Sequence, residues 1–88
     1  MLLPILSQFG ILGKMANEKF TNKDVALGKK IARVRNNKGM TQQNLSDKTG
    51  ISMTTISMLE VGKRRVSLKL LQKVASALNV KVQDLIPF

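Results

Sequence analysis

Three groups of residues carry the chemistry this sequence offers. Lys63, Arg64 and Arg65 are consecutive. Ser52, Thr54, Thr55 and Ser57 place hydroxyls in one short stretch, interleaved with Met53 and Met58. Gln42 adds an amide upstream. These are groups that bind, by charge, hydrogen bond and apolar contact. With no Cys and no His in 88 residues, a disulfide framework, a Cys/His zinc site, a cysteine nucleophile and a histidine base are excluded. Five Asp and Glu scattered among fifteen Lys and Arg do not make a carboxylate metal cage. No nucleophile–base pair or phosphate-cradling glycine loop stands out. The residues therefore predict no enzyme, metal, cofactor or small-molecule ligand. A net charge of +10 predicts a polyanionic partner, either nucleic acid or an anionic membrane. The 43% apolar content is enough for a folded core.

The elements that must position these residues are helical. Thr21 or Asn22 caps the first, with Asp24 in its first turn. Leu27, Ile31 and Val34 form its inner stripe. Gly39 ends it in the left-handed conformation. Thr41 starts a second helix, with Leu45, Ser46 and Thr49 inward, and Gly50 stops it. Ser52 starts a third, with Ile56 and Leu59 inward, and Gly62 stops it. Ser67 starts a fourth, with Leu68, Leu71, Val74, Ala75 and Leu78 inward and Asn79 as its stop. A fifth is expected over Val82 to Ile86. No segment alternates like a strand. The expectation is an all-α, compact five-helix bundle over residues 21–88. Residues 1–20 are an arm, apolar and then polar. Its first thirteen residues are uncharged, too short to span a bilayer, and broken by Pro4 and Gly10. The arm reads as poorly ordered, or as an early start with Met15 the true one.

Residues 41–62, TQQNLSDKTGISMTTISMLEVG, read as helix, tight glycine turn, helix. With Ile56 and Leu59 inward, a 100° wheel turns Thr54, Ser57, Met58 and Val61 outward and sets Met53 on the flank. The stretch from Asp24 to Ile86 resembles the phage-repressor, Xre/Cro-like helix-turn-helix family. IARVRNNKGMTQQNLSDKTGIS, TISMLEVGKR, SLKLLQKVASALNV and VQDLI carry the resemblance, in the family's order. It implies a lambda-repressor-like fold whose third helix enters the DNA major groove, with paired domains reading two half-sites. It also implies base contacts from Met53, Thr54 and Met58, and phosphate contacts from Gln42 and the loop with Lys63, Arg64 and Arg65. Lys38 and Thr55 are expected near phosphates, and Ser52 and Ser57 at the same DNA-binding face. Met53 stands where the family has a polar partner for Gln42 and cannot return a hydrogen bond, so the phosphate contact is expected and the brace is left open. Val61 stands where the family often has a phosphate-binding Asn. The resemblance further implies an ion pair between Arg35 and Glu60.

The function expected is a sequence-specific, double-stranded DNA-binding transcriptional regulator. It would be a cytoplasmic, nucleoid-associated repressor acting as a homodimer on a pseudo-palindrome. Leu70, Ile86 and Phe88 are candidates for a two-fold patch. The alternative is an antitoxin-type module that binds a toxin or other protein partner and regulates its own operon. Membrane binding is disfavoured, because the apolar and basic residues do not share one amphipathic helix.

Overall fold

The computed structural model describes residues 21–88. The expectations for residues 1–20 lie outside that range. Four α-helices follow in order: α1 (Asn22–Asn37), α2 (Gln42–Thr49), α3 (Met53–Glu60) and α4 (Leu68–Leu78). A 3-10 turn, Val82–Leu85, closes the chain. There is no strand among the described residues.

Local chemistry sets each boundary. Thr21, Thr41, Ser52 and Ser67 are extended N-caps whose hydroxyls accept backbone N–H bonds from Asp24, Asn44, Thr55 and Leu70. At Thr21 and Thr41 the box is reciprocal: the Asp24 carboxylate and the Asn44 amide oxygen accept the cap's own N–H. Gly39, Gly50 and Gly62 have φ of 69°, 73° and 78°, and Asn79 has 58°. These are the left-handed exits where a Cβ is normally penalised.

The predicted fifth α-helix is a correction. Val82–Leu85 is four residues long, with i→i+3 bonds from Asp84 N–H to the Lys81 carbonyl and from Ile86 N–H to the Gln83 carbonyl. So short a segment before Pro87 has no room for an α-helical ladder. Leu68 is a second correction. It is 64% exposed. It belongs to the inner stripe by period, but it opens α4, one turn outside the part that neighbouring helices cover.

The core is made by Leu27, Ile31, Leu45, Ile56, Leu71, Val74, Ala75, Leu78 and Leu85. α1 lies against α3, while α2 packs on both α3 and α4. The 3-10 turn seats Leu85 against α4 and α1. Gly28 makes the α1–α3 crossing possible. A Cβ built there would stand 1.8 Å from the Leu59 carbonyl oxygen, so the two backbones touch where a side chain would be. Asp24 ties down the other end of α3's exit. Its Oδ2 accepts the Thr21 N–H, and its Oδ1 accepts the Val66 N–H at 2.9 Å, fixing the loop after α3 to the start of α1.

Candidate nucleic-acid interface

α3 is held by two glycines and a polar cluster. Gly50 turns the chain between α2 and α3. Ser46 Oγ donates to the Ile51 carbonyl at 2.6 Å, and Thr49 Oγ1 accepts the Ile51 N–H. The turn is therefore fixed by side chains of the helix before it. Ile56 and Leu59 are fully buried, so α3 cannot roll without exposing both.

The other end of α3 is fixed electrostatically. Arg35 Nε donates to Glu60 Oε2 at 2.6 Å and Nη2 donates to Oε1 at 2.9 Å. The third arm of the guanidinium, Nη1, donates to the Met40 carbonyl at 2.6 Å. Gln42 Nε2 donates to Glu60 Oε1 at 3.0 Å. The Arg35–Glu60 pair thus gathers α1, the α1–α2 connection, the start of α2 and the end of α3. Both Arg35 and Glu60 are buried. A planar fork on a carboxylate fixes distance and angle together. The Glu60 hydrogen bonds hold the Arg35 pKa above the ordinary arginine value, outweighing the opposing effect of burial. Met53, which stands where the family has a polar partner for Gln42, cannot return a hydrogen bond, and that left the brace open. The brace exists, and Glu60 supplies it. That carboxylate lies 18 residues from Gln42, and no local period links the two.

The outward face of α3 carries Met53, Thr54 and Met58, all exposed, with Ser57 and Thr55 half-buried at its margins. Ser52 Oγ donates to Thr55 Oγ1 at 2.8 Å and accepts the Thr55 N–H, so these two hydroxyls serve the cap first. Val61 caps the helix and is exposed. Lys63, Arg64 and Arg65 follow after Gly62, all exposed, in a loop whose end is tied to Asp24 through Val66. Lys38 is exposed at the end of α1, in the connection that Arg35 braces through Met40. The Gln42 side chain is half-buried, held on one side by Glu60. Leu70 and Ile86 are half-buried, whereas Phe88 is exposed with the Lys23 ammonium 5.3 Å from its ring centre.

A surface concavity among the described residues lies elsewhere. It is an open groove between α2 and α4, edged by Lys48, Lys69 and Lys73. It contains no residue of α3. No helix among the described residues is long and apolar enough to cross a membrane, and none of their acidic groups cluster as metal ligands.

A short helix fixed across another, its solvent face bare and a basic loop at its end, defines the helix-turn-helix class of DNA-binding domains. The chain belongs to the helix-turn-helix family, which it matches over residues 31–85. It is a DNA-binding transcription regulator of the Xre and controller-protein type. It is 44% identical over 50 residues to an HTH-type transcriptional regulator of Archaeoglobus fulgidus, covering 57% of this chain and 71% of that one. It is 37% identical over 62 residues to the control protein C.BamHI of Bacillus amyloliquefaciens, covering 69% and 76%. Its fold is similar to the restriction-modification controller protein C.AhdI of Aeromonas hydrophila, with a TM-score of 0.70 and 29% identity. That likeness covers 74% of this chain and 98% of that one.

Proposed function

We propose that this chain represses transcription as a homodimer, each copy placing α3 in the major groove of one half of a pseudo-palindromic operator. The observation that carries the reading is the face of α3: exposed side chains on a helix that cannot roll, flanked by Lys63, Arg64 and Arg65. In this reading Met53, Thr54, Ser57 and Met58 face bases. Ser52, Thr55, Gln42, Lys38 and the 63–65 loop lie toward phosphates. Phosphate contacts set register, and base contacts choose sequence. The repressor acts by occupancy, in the cytoplasm with the nucleoid. A dimer of this class places its half-sites about one helical turn (~10 bp) apart.

Selection of bound sequences from a random duplex pool tests the reading, followed by affinity measurements across salt concentrations. A two-fold sequence should emerge, with log affinity falling steeply against log salt, by about 0.9 per phosphate neutralised. Enrichment of no sequence, or a slope near zero, refutes it.

A further inference from the structure

Five large apolar side chains are exposed among the described residues, and three of them, Met53, Met58 and Val61, belong to the α3 segment. The amides and hydroxyls closest to the start of α3 already hold bonds within the protein. Gln42 donates to Glu60, and Gln43 Nε2 donates to Asp47 Oδ1 at 2.8 Å. Ser52 and Thr55 bond to each other. The outward face of α3 contains no Arg, Lys, Asn or Gln. Such a face has little to offer the acceptors of guanine or the paired donor and acceptor of adenine. It offers apolar surface, and thymine is the unmodified base that shows a methyl group in the major groove.

We propose that Met53 and Met58 recognise thymine through its 5-methyl group, so that methyl burial fixes thymine positions in each half-site. The inference rests on the DNA reading above and names the bases that the α3 face selects. The two residues are five apart, which is about 7.5 Å along a helix and about 140° around it. They therefore straddle Thr54 and meet base pairs about two steps apart, at ~3.4 Å per step. The unbranched, polarizable methionine chain can adapt to a methyl on either strand. The basic loop beside the face makes nucleic acid, and not an apolar protein surface, the fitting occupant.

The test replaces single atoms in the DNA. In the selected duplex, each thymine in turn is replaced by uracil, which removes only the methyl. Removing one buried methyl should weaken binding about fourfold. This should occur at two positions per half-site and nowhere else under α3. Placing 5-methylcytosine against cytosine at the same positions should tighten binding by a similar factor. Met58→Ala and Met53→Ala should each abolish the uracil effect at one position only. Both residues are exposed, so both variants should keep the parent melting temperature. If every uracil duplex binds like its parent, or if the double alanine variant keeps the full uracil effect, the inference is overturned. In either case the DNA reading stands on the selected sequence. If no duplex is enriched at all, the proposed function fails first and the inference with it.

Discussion

Arg35→Ala removes the guanidinium and with it three donated bonds, two to Glu60 and one to the Met40 carbonyl. The cost follows from what is left behind. Glu60 is 9% exposed and retains Gln42 as its one side-chain partner, so a nearly bare carboxylate stays buried. Removing one half of a buried pair costs ~3–5 kcal/mol, and the surviving amide bond favours the lower end, ~3 kcal/mol. A domain of this size loses roughly 4–8 °C of melting temperature per kcal/mol, so a fall of roughly 12–24 °C is expected. Thermal unfolding followed by circular dichroism reads this directly. The pair of substitutions Arg35→Met with Glu60→Met leaves no buried charge. It should therefore melt higher than Arg35→Ala alone, despite deleting more hydrogen bonds. The sign of the pH effect agrees with this picture. A folded-state pKa raised above the unfolded one contributes stability that is complete below the unfolded value. That contribution is lost only as pH rises through the folded value, so Arg35 itself adds no pH dependence near neutrality. An Arg35→Ala melting temperature within about 3 °C of the parent would refute the reasoning. So would a double variant whose destabilisation equals the sum of the two single ones.

Gly28→Ala drives a Cβ into the Leu59 carbonyl and must push α1 from α3, costing ~3 kcal/mol or more in chemical denaturation and weakening specific DNA binding in the survivors. Asp24→Ala loses a capping box and the Val66 tether, and should cost ~1–2 kcal/mol by the same measurement. Gly50→Ala meets no atom within 4 Å, so its cost should be only the left-handed backbone penalty, ~1–2 kcal/mol. Arg64→Ala and Arg65→Ala should leave melting unchanged and reduce the log–log salt slope for duplex DNA by about 0.9 for each phosphate no longer neutralised.

Apart from the Arg35–Glu60 pair, which the family resemblance implied, what was legible in the sequence was local. Thr41, Ser52, Ser67, Gly50 and Asn79 announce helix ends, because a cap's hydrogen bond or a left-handed turn is decided within four residues. Ile56 and Leu59 were legible as the inner face of α3 because burial repeats with the helical period. Leu68 was misplaced because a period does not say where the covering neighbours stop. The closing turn was misread because Val82 to Ile86 has helical composition without helical length. Gly28 was silent: a mid-helix glycine reads as a small cost until another backbone is seen against it. The Asp24–Val66 and Gln42–Glu60 bonds join residues 42 and 18 apart, and no spacing rule reaches that far.

Those long-range bonds also explain how a helix of eight residues can present an apolar face to water. α3 would gain nothing from its own exposed methionines, and isolated helices of this length are marginal. Its stability comes from the opposite side: Ile56 and Leu59 in the core, the Gly28 crossing, and a carboxylate at its last residue bound by two other elements. The polar side chains nearest α3 are occupied in holding it, so few remain on its surface. In the proposed reading, position and recognition are therefore carried by different residues. Substitutions at Arg35, Glu60 or Gly28 should change how much protein is folded, and substitutions at Met53 or Met58 should change which duplex is chosen. A single set of variants, measured for both melting and sequence preference, should fall into those two groups with little overlap.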